Sequence, residues 1–146
     1  MTKKIDAVAV ESHVKTLLDE LKLKADVTEK GDLKILMELK KDRAQTVVIN
    51  SKAGMIGSTA MVEINSPAVK LNGLPSRKFA LHLLKNNEKQ KLGSWQLLPL
   101  EKEGSIVFYS ITIPSSIDAE TFHSVLKIVA STADAMEEKT KGGDMF

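Results

Sequence analysis

Histidine is the first side chain to weigh for chemistry in this sequence, because its imidazole can bind a metal or move a proton near neutral pH. His13, His82 and His123 fall in three separate helical patterns, and none has a second histidine three to five residues away, the spacing that lets one helix face hold one ion. No metal site is expected from them; His82 and His123 read as flank or partly buried helix residues. Serines are plentiful, but no strained Gly-x-Ser-x-Gly elbow exists to expose a nucleophile. The serines read as helix caps and turn residues. No catalytic residue and no cofactor are expected.

Two other patterns bear on phosphate chemistry. Gly54-Met-Ile-Gly57 has the Gly-x-x-Gly form of a loop that clamps a nucleic-acid backbone between two helices. Its flanks read as strands, and it lacks the Gly-Lys-Ser/Thr ending with which a Walker loop cradles phosphates. It is expected to be a hairpin connection or bulge. Lys85, Lys89, Lys91 and Lys102 make the densest basic cluster, interleaved with Glu88, Glu101 and Glu103. Trp95 is the one nearby ring on which a base could stack. The cluster is expected to be a solvated helix end.

The elements that must position these residues come from a chain of 146 residues, within the range of one domain. With 42% hydrophobic and 27% charged residues its composition is globular. A balance of 21 basic and 19 acidic side chains gives no strong field for polyanions or anionic membranes. The absence of cysteine rules out disulfides and thiolate metal sites, so packing alone must hold the fold, as suits a reducing cytoplasm. Asp6 and Glu11-Ser12-His13 interrupt any signal-peptide core after Met1-Thr-Lys-Lys, and no apolar run approaches a membrane span. A soluble intracellular protein is expected.

Val10, Val14, Leu17, Leu18 and Leu21 put one apolar stripe on a helix from about Asp6 to Leu23. Leu33, Ile35, Met37 and Leu39 then alternate with Lys34, Leu36, Glu38 and Lys40, the period of a strand with one buried face. Lys41-Asp42-Arg43 should be its turn. Val47 to Ile49 predict a second strand and Ser58 to Asn65 a third, with Met61 and Val62 on opposite faces and loop between. Ser76 is placed to cap a short helix carrying Phe79, Ala80, Leu83 and Leu84, which Asn86-Asn87 should stop. A hairpin follows, from Trp95 to Leu100 and from Ile106 to Ile113, turning at Gly104 and ended by Pro114. Phe122, Val125, Leu126, Val129, Ala130, Ala133 and Met136 mark a closing helix from about Ile117 to Glu138. Gly142-Gly143 should close that helix, leaving residues 142–146 as a flexible tail on one domain of residues 1–141.

The expected fold class is α+β, in the order α-βββ-α-ββ-α, with a five-stranded antiparallel sheet covered on one face by helices. That order resembles the fold of type III secretion chaperones and of the related YbjN-like family. The likeness is carried by Phe79-Ala-Leu-His-Leu-Leu-Lys-Asn-Asn, the Gly93-Ser-Trp95 entry, the Ile106 to Ile113 strand, and the terminal helix with Ala130-Ser-Thr-Ala133-Asp134. It implies a non-enzymatic, often dimeric, protein-binding module with no catalytic residues. A sequence pI near 8.7 favours the YbjN-like branch over the typically acidic secretion chaperones.

Met55, Ile56, Met61, Trp95, Leu97 and Tyr109 are the candidate partner or dimer-interface residues, since Met adapts to varied partners and Trp and Tyr join an apolar body to a polar tip. Strands that carry apolar residues on both faces, through Leu36 and through Leu97-Leu98, imply a sheet whose second face something covers. A second copy of the chain would serve. The leading expectation is a cytoplasmic homodimer that binds a protein segment, chaperone-like or regulatory, through strand addition. The alternative is nucleic-acid or nucleotide binding through the Lys85 to Lys102 region; a hydrolase using His82 or His123 ranks last.

Overall fold

A computed structural model of the chain describes residues 7–40, 42–102 and 104–141. It opens with helix α1 (Ala7–Glu20), followed by strands β1 (Ala25–Val27), β2 (Leu33–Leu39), β3 (Arg43–Asn50), β4 (Met55–Ile56) and β5 (Thr59–Leu71). Helix α2 (Arg77–Lys89), strands β6 (Ser94–Pro99) and β7 (Ser105–Pro114), and helix α3 (Ala119–Lys141) complete it. The α+β class and the antiparallel sheet match the reading of the periods. Among the described residues the sheet has seven strands rather than five, in the order β1-β2-β3-β5-β7-β6 with β4 paired to β5. The two extra strands are three and two residues long, too short to show a period.

The period of two along β2 is realised directly: Leu33, Ile35 and Met37 are buried while Lys34, Leu36 and Glu38 are exposed. Val47 and Ile49 of β3, Val62 and Ile64 of β5, and Val107, Tyr109 and Ile111 of β7 continue that buried face across the sheet. One apolar core joins them to Val14, Leu17 and Leu18 of α1, to Phe79 and Leu83 of α2, and to the buried stripe of α3. All three helices therefore pack on the same side. Helix α3 lies across β2, β3, β5 and β7. Its fully buried Ala130 and Ala133 have side chains short enough to bring the helix close to the strands.

The caps follow the sequence. Ser76 accepts a hydrogen bond from the Phe79 amide at 3.1 Å at the start of α2. Asp118 does the same for Thr121 at 2.7 Å at the start of α3. Helix α2 runs through Asn86-Asn87 to Lys89, so the expected stop is three residues early. The ends expected at Asp6 and Gly142-Gly143, the residue Lys41 of the first turn, and the tail lie outside the described residues.

The largest departure is the length of β5, which continues through Pro67 to Leu71 where the sequence predicted an end at Asn65. Strand β3 pairs with β5 only through Val48, Ile49 and Asn50, and a bulge falls between Pro67 and Val69. Ser66 and Tyr109 face each other on the β7 side, so the next residue along, Pro67, turns its main chain toward β3 where the ladder has ended. Proline lacks an amide hydrogen, and none is wanted at that position.

Candidate interaction surface

Helix α2 is fastened to the edge strand β6 by side-chain amides. Asn87 accepts from the Trp95 amide at 2.6 Å and donates to the Trp95 carbonyl at 3.2 Å, the two bonds a neighbouring strand would make. Asn86 Oδ1 accepts from the indole nitrogen of Trp95 at 2.8 Å and from the Gln90 amide at 2.8 Å. The Tyr109 hydroxyl donates to the Leu92 carbonyl and lies 3.0 Å from Gln90 Oε1. Trp95 and Tyr109 meet edge to face with ring centres 5.2 Å apart. Burial pushes the Tyr109 hydroxyl above its ordinary pKa.

The structure separates the six residues expected at an interface into three groups. Trp95 and Tyr109, 6% and 0% exposed, have their rings in the core of the chain. Met55, Ile56 and Met61 belong to the β4–β5 hairpin, where Ile56 is 68% exposed and Met61 is buried. Leu97 stands on β6 with Leu98, 38% and 47% exposed. Leu81 and Leu84, on one face of α2, and Leu92 in the turn between α2 and β6 are exposed as well. Of the helical pattern Phe79, Ala80, Leu83 and Leu84, only Phe79 and Leu83 are buried.

The sheet face away from the helices carries a second apolar group. Leu98 pairs with Ile106, and Phe108 pairs with Pro67 across from Gln96, so Pro67, Leu98, Ile106 and Phe108 adjoin one another on that face. Leu36, 63% exposed, and half-buried Val48 lie on the same face of β2 and β3. Ile106 and Phe108 were not among the expected interface residues. Their signal was present: a period of two in Ile106 to Ile113 puts them opposite Val107 and Tyr109.

The residues weighed for chemistry are dispersed. His13 is exposed on α1, and His82 on α2 has a buried Nε2 with no hydrogen-bond partner among the described residues. His123 lines a cleft of about 560 Å³ between α3 and β2, with Lys24, Asp26, Lys34, Glu38 and Lys127. Among the described residues no three His, Cys, Asp or Glu side chains gather to hold a metal ion. Gly54 and Gly57, with φ of 104° and 60°, flank the short strand β4 in a hairpin. Ser66 donates to the Thr46 carbonyl and Ser105 to the Gly73 carbonyl, both structural bonds. Arg43 bridges Asp134 at 2.7 Å and Glu138 at 2.8 Å, tying β3 to α3. Its hydrogen bond to Asp134 raises the guanidinium pKa further. Lys85, Lys89, Lys91 and Lys102 are exposed, but the ring of Trp95 is buried and offers no face to a nucleic-acid base.

Among the described residues no helix is long and apolar enough to cross a membrane. Compared with protein-family models and with curated proteins, the chain matches none of them.

Proposed function

We propose that this protein is a non-enzymatic protein-binding module, chaperone-like or regulatory, that acts in the cytoplasm as a homodimer. The observation that carries the reading is the one-sided sheet. Its helices and core lie on one face, while Leu36, Leu98, Ile106 and Phe108 stand on the other, the first two exposed and the last two half-buried among the described residues. Apolar surface gathered on one face of a sheet favours association, since removing it from water is worth roughly 25 cal/mol per Å². A second copy meeting this face through a two-fold axis would bury the group on both chains at once. In this reading the architecture is that of the YbjN-like proteins and secretion chaperones.

Light scattering on purified protein tests it. The wild type is expected to run as a dimer and Phe108→Lys as a folded monomer with an unchanged circular dichroism spectrum. A wild-type monomer that retains no protein on affinity purification from its native cytoplasm would overturn the proposal.

A further inference from the structure

We infer that the outer edge of β6 is a strand-addition site for a short extended peptide, apolar at its centre and acidic at both ends. The inference deepens the protein-binding reading and rests on it. Because the amide and carbonyl of Trp95 both bond to Asn87, its main chain faces away from β7. Main-chain direction alternates along a strand, so Leu97 presents its own N–H and C=O to the same side. Outside the β6–β7 ladder, no main-chain bond to these two groups is made among the described residues. Asn87 thus occupies one position of an absent strand and leaves the next one open. Pro99, one position further, brings no amide hydrogen to the edge.

The surroundings specify the occupant. Side chains alternate on β6: Leu97 is level with Val107 on the helix side, and Leu98 is level with Ile106 on the open side. A segment bonded to Leu97 would therefore meet apolar groups on both of its faces, with exposed Leu84 rising beside it on the Asn87 side of α2. Beyond this centre the charge is one-sided. From Arg77 to Glu103 the chain carries six basic side chains, Arg77, Lys78, Lys85, Lys89, Lys91 and Lys102, against three acidic ones. All six basic residues are exposed. A second copy meeting this edge through a two-fold axis would set two basic sets against each other, whereas Asp and Glu flanking an apolar strand would be drawn to them.

The test uses the full-length protein and fluorescein-labelled peptides read by anisotropy. The probe is Asp-Glu-Val-Thr-Val-Leu-Val-Thr-Glu-Asp; its controls replace the four acids by Lys, or the central Val by Pro. The acidic probe is expected to bind, and each control to bind roughly tenfold more weakly or worse. Leu97→Pro removes the edge amide at a position where proline is tolerated, and should weaken the probe by about tenfold at an unchanged melting temperature. If that variant does not fold, Leu84→Glu, a change at an exposed site, should weaken the probe by electrostatic repulsion. Equal binding of acidic and basic peptides, no binding of any, or unchanged affinity in both variants would overturn the inference. So would tighter binding of a single-stranded oligonucleotide, or conversion of a dimer to a monomer by Leu97→Pro, which would assign the edge to a second copy. Light scattering separates the two proposals, since loss of the dimer in Phe108→Lys with no peptide bound to the wild type leaves the homodimer standing and removes only this site.

Discussion

The side-chain amide of Gln45 donates to the carbonyl of Pro67 at 2.7 Å, closing the gap that opens where β3 and β5 part. The same nitrogen lies 3.1 Å from Ser66 Oγ, whose hydroxyl donates to the Thr46 carbonyl. A buried glutamine thus supplies donors that strand β3 no longer brings, much as Asn87 does for Trp95 at the edge of the sheet. Replacing Gln45 by Leu keeps the volume and orphans the Pro67 carbonyl, which should cost about 1–3 kcal/mol. Urea denaturation would read this as a lower midpoint at an unchanged slope.

Trp95 carries its ring in the core and its indole N–H on Asn86. Trp95→Phe keeps most of the packing and loses that bond, so a loss of about 1–3 kcal/mol is expected in a chain that still folds. Trp95→Asp places an uncompensated carboxylate in the core and should abolish the folded circular dichroism spectrum. A folded Asp variant would show that the ring contributes little to the core.

Gly93 adopts φ of 76° where the turn from α2 enters β6. A Cβ added there would lie 2.5 Å from both the Ser110 carbonyl oxygen and Ile111 Cγ1. Backbone conformation alone makes a side chain costly, and the main-chain contact cannot be relieved by a rotamer change. Gly93→Ala should lower stability by at least about 1–3 kcal/mol, seen as an earlier thermal transition.

Asp118 accepts the Thr121 amide at the start of α3, and that bond holds its carboxyl below the usual carboxylate range. A pKa lowered by folding means that the native state favours the ionised form. The resulting stability is fully present above the unfolded value of about 3.9 and is lost as pH falls through the lower folded value. Asp118→Asn keeps an acceptor at the cap without a titrating group. Its melting temperature should fall less than that of the wild type on acidification through this window, and parallel curves would contradict the role assigned to Asp118.

Much of the architecture could be read in advance because it follows from local spacing. Alternation from Leu33 to Leu39 determines which side chains β2 buries, and the stripe from Phe122 to Met136 determines which face α3 turns inward. Ser76 caps α2 for a reason contained in its own hydroxyl. Beyond such local rules the reading failed in two directions. The third strand is expected to end at Asn65 but runs through Pro67 to Leu71, since whether a position needs an amide hydrogen depends on a neighbouring strand distant in sequence. Asn86-Asn87 looked like a helix stop because asparagine favours turns; their amides are instead spent on Trp95, which only the packing of α2 against β6 brings within reach. Trp95, Leu97 and Leu98 are equally apolar neighbours in the sequence, yet the first is core and the other two are surface. Periodicity assigns a residue to a face of its own element, and it takes the placement of a second element to decide whether that face meets protein or water.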